Sequence, residues 1–372
     1  MTPPGVLLET TPAMSWAWIG VRVRPALQLG ETGSYPDVDE SQRLTRTITH
    51  ETAWLAGLWT TESYARWELR FRNDPSTRLL SCVLLGRVED GDPHRAAEAA
   101  IRLRDRLAAA PIHVRTDPLL DADEVREHLV PSARGGYRTV EVRKRLAWAH
   151  CSRPETRRRF CFAVSPLRAP ADRSWEPLWR ELRLMPEPTV LSVYLEPYRP
   201  SPPLVDDLRR LAAEYRYLAR PSPPSPVWTV SMEPDALAEQ AAPLYDRAAS
   251  LYTSGPCFRT RISIASQGEP RSGFAELVAA TTGGGVACEA PPGEQETFWR
   301  NFAGLNREWL GLTHGQGAPV GALRDSERIL CDLSDVDEAA LTFRLPYQVQ
   351  SHLPLFAPTG KPRGRGTTTA ER

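Results

Sequence analysis

Trp67-Glu68-Leu69-Arg70-Phe71-Arg72, then Asn73-Asp74-Pro75-Ser76, then the Leu- and Val-rich run Arg78–Val88: the reading of this stretch decides the fold. Trp67, Leu69 and Phe71 alternate with charged residues, the two-residue period that gives a β-strand one apolar face. Arg78–Val88 reads as a second strand. The four residues between carry the Asn, Asp, Pro and Ser of a tight turn, so the pair predicts a β-hairpin. His94–Ala110 is an Ala-rich helix stopped by Pro111, and a further strand follows near Ile112–Arg115. Strand, strand, helix, strand is part of a ferredoxin-like α+β pattern.

Upstream, Ser15–Arg24 ends in alternation with Ile19, Val21 and Val23 on one side, Gly30–Glu40 is a polar loop, and Thr47–Trp59 reads as a helix burying Trp54, Leu55 and Leu58. Downstream, Arg138–Ala149 and Arg159–Val164 predict a second hairpin around the polar Ser152–Arg158. An amphipathic Trp175–Leu184, a strand at Thr189–Leu195 and a helix at Leu204–Leu218 follow. The last lies between two Pro-rich segments, 197–203 and 221–226, which read as stiff surface connections.

From Val227 the rhythm becomes regular. Val227–Met232, Phe258–Ala265 and Val286–Glu289 read as strands, and Asp235–Tyr252, Phe274–Ala280 and Gln295–Leu305 as helices. Alternation of this kind implies an α/β layer. The fold class is therefore α+β or α/β, with mixed sheets, helices packed on one face, ferredoxin-like βαβ elements and Pro-rich connections. The units near 60–120 and 227–305 are candidates for related folds, although no sequence repeat links them. The expected divisions are an α+β domain over 1–135, a hairpin and Pro-rich middle region over 136–225, an α/β domain over 226–356, and a disordered Gly/Arg/Thr-rich tail over 357–372.

Composition sets limits on function. Of 372 residues, 41% are apolar and 25% charged, enough to fold, and 35 prolines predict interrupted elements. Lys+Arg and Asp+Glu are both 46, so no net charge draws the molecule to nucleic acid or an anionic membrane. No apolar run approaches the roughly 20 residues of a membrane span, and the N-terminus lacks the pattern of a secretory signal. Six cysteines without paired spacing suit a reducing compartment, and a cytoplasmic location is expected.

The chemistry-bearing motifs are few. Gly-x-x-x-x-Gly-Lys-[Ser/Thr], whose backbone N–H groups would cradle phosphates, occurs nowhere in the sequence, so no P-loop ATPase activity and no cofactor are expected. Gly283-Gly284-Gly285 opens a strand and reads as a helix stop and tight turn. His150, Cys151 and Cys161 lack the paired spacing of a metal site and read as structural. His314, in a loop before Pro319, is the least bland histidine and the place where an unrecognised enzyme site would lie. The acid pairs Asp121/Asp123/Glu124 and Glu294/Glu296 sit near helix starts, where carboxylates are favoured anyway. Arg143, Lys144, Arg145, Arg157, Arg158 and Arg159, with Arg153, gather near the tip of the expected second hairpin and are candidates for contact with phosphate, nucleic acid or an acidic partner. The aromatic residues Trp148, Phe160 and Phe162 read as core beneath them.

The remaining stretch is Leu330-Cys-Asp-Leu-Ser-Asp-Val-Asp-Glu-Ala-Ala-Leu-Thr-Phe-Arg-Leu-Pro346. It reads as a short amphipathic helix capped by Ser334, with Asp337 as capping-box partner, Val336, Ala340 and Phe343 on one face, and Pro346 as its end. Leu333, Ser334, Glu338, Ala340, Leu341, Arg344, Leu345 and Pro346 also resemble the segment that closes the N-terminal region of HerA-type and conjugation-type (type IV secretion) motor ATPases, ahead of their RecA-like motor. The resemblance implies a non-catalytic assembly or docking module whose partner is a separately encoded P-loop motor. It also implies that Glu338, Leu341, Phe343 and Arg344 form the motor-docking segment. Oligomeric state is left open.

Overall fold

The computed structural model describes residues 3–26, 29–31, 35–59, 65–130, 137–153, 156, 158–222, 231–306, 316–319, 321–349 and 354–357. In chain order its first elements are β1 (Leu7–Thr10), β2 (Ser15–Pro25), α1 (Glu40–Leu58), β3 (Arg66–Asp74), β4 (Leu79–Asp90), α2 (Pro93–Ala108), β5 (Val114–Pro118) and α3 (Ala122–Leu129). The next are β6 (Arg138–Arg143), β7 (Leu146–His150), β8 (Phe160–Val164), α4 (Glu176–Arg183), β9 (Thr189–Tyr198), α5 (Pro202–Leu218) and α6 (Ala236–Ser254). The chain continues through β10 (Cys257–Ser266), α7 (Phe274–Thr281), β11 (Val286–Glu289), α8 (Gln295–Gly304), α9 (Asp325–Leu330), β12 (Leu333–Asp335) and α10 (Val336–Thr342).

The hairpin over 67–88 is present. β3 and β4 pair antiparallel from Arg66↔Arg87 to Asp74↔Leu79. Its turn is held by the Asp74 carboxylate, which accepts from the Ser76 N–H at 2.9 Å, the Ser76 hydroxyl at 2.6 Å and the Thr77 hydroxyl at 2.9 Å. Trp67, Leu69 and Phe71 are buried as their period demands, but so are Glu68 and Arg70 on the opposite face. α1 begins at Glu40 and not at Thr47, because Asp39 accepts from the Gln42 N–H at 2.8 Å and caps it. Its buried face is Leu44, Thr47, Glu51, Leu55 and Leu58, with Trp54 only half-buried.

β2-α1-β3-β4-α2-β5 forms a complete ferredoxin-like unit, its strands lying in the order β5-β2-β4-β3 with antiparallel neighbours. The same wiring returns in β6-α4-β9-β10-α7-β11, in the order β11-β6-β10-β9. β3 and β9 pair from Trp67↔Leu195 to Arg72↔Val190 and join the two units into one sheet. Numbered within each unit, its strands read fourth, first, third, second, then second, third, first, fourth: a pseudo-twofold arrangement about the β3–β9 seam. The structural repeat thus spans 15–118 and 138–289, not 60–120 and 227–305. Two insertions mask it in the sequence, β7–β8 after β6 and α5–α6 between β9 and β10.

Of the two classes left open by the sequence, the antiparallel sheet decides for α+β. The regular alternation after Val227 is not a parallel βαβ series. Strands from the stretches 1–135, 136–225 and 226–356 all lie in this one sheet. The strand read at Val227–Met232 falls mostly outside the described residues, and Met232 is not in a strand; the tail at 357–372 lies outside them apart from Ala357.

One face of the sheet is covered by α1, α2, α4, α7 and α10, which pack Leu55, Leu103, Trp179, Val278 and Ala340 into the main core. α3 and α8, each following the fourth strand of its unit, lie against the other face, over Leu85 and Tyr194 and over Val190 and Ala265. There the carbonyls at both helix C-termini meet buried arginines. Arg70 donates to the oxygens of His128 (2.6 Å), Leu129 (2.8 Å) and Phe302, and Arg261 to those of Asn301 (2.9 Å) and Asn306 (2.6 Å). Glu68 balances both, at 2.7 Å from Arg70 and 2.8 Å from Arg261. Helix ends expose unsatisfied carbonyls with partial negative charge, so buried cations are favoured there.

The insertions build a separate lobe. β7, β8, α5, α6 and α9 enclose a second core that includes Phe162, Leu211, Tyr215, Ala241, Tyr245 and Leu330. The second hairpin is consequently shorter than the sequence suggests. Arg138–Arg143 joins the main sheet as β6, the chain breaks at Lys144-Arg145, and only Leu146–His150 pairs with β8. Among the described residues no helix is long and apolar enough to cross a membrane.

Candidate functional site

Two stretches singled out by sequence meet where the lobe joins the sheet. Lys144 occupies the break between β6 and β7. Glu338 lies in the first turn of α10, which starts differently from its reading. Leu333–Asp335 is a strand paired with Cys257–Arg259 of β10, so Ser334 stands opposite Phe258 inside a ladder and cannot act as the cap. Asp335 caps instead, accepting from the Glu338 N–H at 2.8 Å.

Lys144 Nζ lies 2.7 Å from Glu338 Oε1, with the two side chains 3% and 4% exposed. Nζ also donates to the Leu333 carbonyl and, at 3.3 Å, to the Tyr252 hydroxyl. Glu338 accepts a further bond from the Leu167 N–H at 2.7 Å, and the Tyr252 hydroxyl donates to the Leu333 carbonyl at 2.9 Å. Burial raises the Glu338 carboxyl above its ordinary value, with Lys144 and the Leu167 N–H pulling it back; burial also pushes the Tyr252 hydroxyl well up. Above the pair is a narrow cleft of about 30 Å³, room for about one water, walled by Val164, Leu244, Ala248 and Leu251 and flanked by Arg168 and Arg247. It is a desolvated polar seam between two hydrophobic cores.

The other basic candidates do not gather at a hairpin tip. Arg158 turns inward, 2.6 Å from Glu327 and 3.1 Å from Glu214, and donates to the Tyr215 hydroxyl at 2.9 Å. Arg143 pairs with Glu141 at 2.7 Å. Arg145 and Arg159 are exposed, Arg159 lying over the Phe160 ring at 5.2 Å. Arg153 is buried and donates to the Arg220 carbonyl at 2.6 Å, while Arg157 lies outside the described residues. A nucleic-acid reading therefore keeps Arg145 and Arg159 and loses Lys144 and Arg158 to internal pairs. Of the aromatic residues read as core, Phe162 is fully buried, whereas Trp148 and Phe160 are half-buried and group with His150, whose ring is 4.7 Å from that of Phe160.

The docking segment is mostly interior. Glu338 and Phe343 are buried, Leu341 is half-buried, and Arg344 is buried 3.0 Å from Glu51 while donating to the Thr47 hydroxyl at 2.6 Å. Glu51 also accepts from the Leu345 N–H at 3.2 Å and lies 3.0 Å from the buried His113. Cys151, Cys161 and Asp235 place donor atoms within 4.8 Å of one another, but the Asp235 carboxylate already accepts from Ser152 N–H and hydroxyl, Leu237 N–H and Ala238 N–H. That saturated carboxylate caps α6 and has no free lone pair for a metal. Gly283 and Gly284 have φ of 103° and 95°, and a Cβ on Gly283 would lie 2.2 Å from the Arg168 backbone, so this glycine run serves packing. His314 lies outside the described residues.

Sequence reasoning missed the acids that organise these sites: Glu51, Glu214, Glu327 and, on the sheet, Glu68. The signal for Glu51 was present, since it falls on the apolar face of its helix at the spacing of Leu44, Thr47, Leu55 and Leu58. Comparison with protein-family models and with curated proteins finds no match.

Proposed function

We propose that this chain is a non-catalytic assembly module of the kind that precedes the motor in HerA- and conjugation-type ATPases, acting in the cytoplasm with a separately encoded P-loop motor. The observation that carries the reading is the use made of the Leu333–Pro346 segment. Its polar positions Glu338 and Arg344 are bound inside the protein, to Lys144 and to Glu51, and serve to fix the module's shape. Buried ions that are paired in this way do not supply acid–base chemistry to a substrate, and they favour a scaffold over an enzyme. The absence of a phosphate-binding loop from the sequence agrees. Contact with a motor then belongs to the outer surface, to which the segment contributes exposed Asp337 and half-buried Val336 and Leu341.

A tagged pull-down from the native cell, followed by sizing of the protein alone and with its captured partner, tests the proposal. A P-loop ATPase recovered in stoichiometric amount, forming a defined larger complex, is the expected result. Recovery of the chain as a lone monomer with no ATPase would overturn it.

A further inference from the structure

The thiols of Cys151 and Cys161 meet at one end of the β7–β8 ribbon. Ala149 stands opposite Cys161 in the ladder, and the pairing continues past β7, with the Cys151 N–H donating to the Arg159 carbonyl at 3.0 Å. Cys151, two residues beyond Ala149, therefore projects from the same face of the ribbon as Cys161. The two Sγ atoms lie within 4.8 Å of each other and of a carboxylate oxygen of Asp235. With that carboxylate already bound to four donors, the group is a poor metal site. Two neighbouring sulfurs, however, need no third ligand to react with one another.

The pair is asymmetric. Cys151 is half-buried, and the other five cysteines of the chain are buried. Its Sγ lies 3.9 Å from the Arg153 carbonyl and 3.7 Å from the Thr156 hydroxyl. Cys161 is wholly enclosed in the lobe core, where burial and then the Asp235 charge push its thiol up and keep it protonated. One sulfur is open to a reagent in solvent and its neighbour is not. This is the division between an attacking and a resolving cysteine.

We propose that Cys151 and Cys161 are a redox couple that closes to a disulfide when hydrogen peroxide reaches Cys151. The Cys151 sulfur attacks one peroxide oxygen and the O–O bond breaks. The departing hydroxide takes the Cys151 thiol proton, which leaves a sulfenic acid and one water. The Cys161 sulfur then attacks the Cys151 sulfur: the S–S bond forms, the S–O bond breaks, and the leaving hydroxide takes the Cys161 proton as a second water. The two thiols together lose two electrons and the peroxide gains them. A change of rotamer at Cys151, beyond the last residue of β7, brings the sulfurs to the bond length of about 2.0 Å. The bond ties the two strands of the ribbon beside Ser152, whose N–H and hydroxyl both donate to Asp235, the cap of α6. The lobe thus gains a restraint set by oxidation, and in a reducing compartment a transient one. The proposal does not depend on a motor partner.

Peroxide treatment of the folded full chain, alkylation of the remaining thiols in denaturant, and mass spectrometry of a tryptic digest test it. Trypsin cuts after Arg157, Arg158 and Arg159, so the two cysteines fall on separate peptides. The expected product is one cross-linked pair, Cys151 to Cys161, lost on treatment with dithiothreitol, with Cys82, Cys257, Cys288 and Cys331 recovered as alkylated thiols. In Cys161→Ala the reaction should stop at the Cys151 sulfenic acid, trapped by dimedone, an adduct that the wild type should lack. In Cys151→Ser, at a half-buried position, Cys161 should stay reduced at the same dose. A wild-type chain that leaves Cys151 unreacted, or carries it to the dimedone adduct or the sulfinic acid without the cross-link, would overturn the couple. Equal oxidation of Cys161 in wild type and Cys151→Ser would overturn the assigned order of attack. The wild-type digest decides the first point even if Cys161→Ala fails to fold.

Discussion

Lys144 Nζ lies 2.7 Å from Glu338 Oε1 with both side chains almost wholly buried, and this contact joins two separately packed cores. Desolvating two ions is costly, and their attraction offsets that cost only while both are present. Lys144→Met or Glu338→Leu alone should therefore destabilise by about 3–5 kcal/mol, by leaving one buried charge unpaired. The double variant should recover most of the loss. Denaturant titration of the four proteins checks this, and additive losses in the double variant would contradict the coupling.

The start of α10 separates two neighbouring side chains. Asp335→Ala removes the bond to the Glu338 N–H and should cost about 1 kcal/mol. Ser334→Ala removes a buried hydroxyl that has no hydrogen-bond partner among the described residues and should be neutral or stabilising. Chemical denaturation of both variants checks the order; a larger loss for Ser334→Ala would return the cap to Ser334.

Two adjacent glycines make a similar contrast. Gly283→Ala would place a Cβ 2.2 Å from Arg168 backbone atoms as well as straining a φ of 103°, whereas Gly284→Ala meets nothing within 4 Å and bears only the cost of its φ of 95°. The second change should cost about 1–2 kcal/mol, and the first clearly more. Equal unfolding midpoints for the two variants would refute the packing role of Gly283.

His128 supplies a pH dependence. Burial and then the charges of Arg72, Arg22 and Arg70 push its imidazole down from 6.5 to about 4. With the folded-state value depressed, the unfolded chain binds the proton first. Stability is then full above about 6.5 and falls as the pH drops towards about 4. His128→Gln should flatten this part of the stability–pH curve, measured by denaturant midpoints across the interval. An unchanged slope would show that other groups set it.

The arginines beneath α3 and α8 should couple the sheet to both helix ends. Glu68→Gln removes the counter-charge that lies 2.7 Å from Arg70 and 2.8 Å from Arg261. Hydrogen exchange should then speed up in α3 and α8 before it does in α1 or α2. Uniform acceleration throughout the chain would instead indicate a global loss of stability.

Local period and turn chemistry were enough to locate many of the elements. The 67–88 hairpin, the Ala-rich helix after it, and the elements at 258–265, 274–280, 286–289 and 295–305 all follow from alternation, helical spacing and Gly or Pro stops. The sequence also determined that buried strand faces would exist, because Trp67, Leu69 and Phe71 share one side. It did not determine which strands pair. The seam between β3 and β9 joins residues more than a hundred positions apart, and insertions interrupt the second unit, so the pseudo-twofold order is a property of long-range pairing.

The charged residues divide on the same line. An Arg or Lys in isolation reads as a solvated cation, which made Lys144, Arg158 and Arg344 look like contacts for a partner. Whether such a group stays outside depends on a carboxylate arriving from elsewhere in the chain. Glu338, Glu327 and Glu51 arrive only once the lobe and the Leu333–Pro346 segment have packed against the sheet. Local sequence sets the period and the caps. Tertiary structure sets the dielectric and the partner, and these decide which ions are buried.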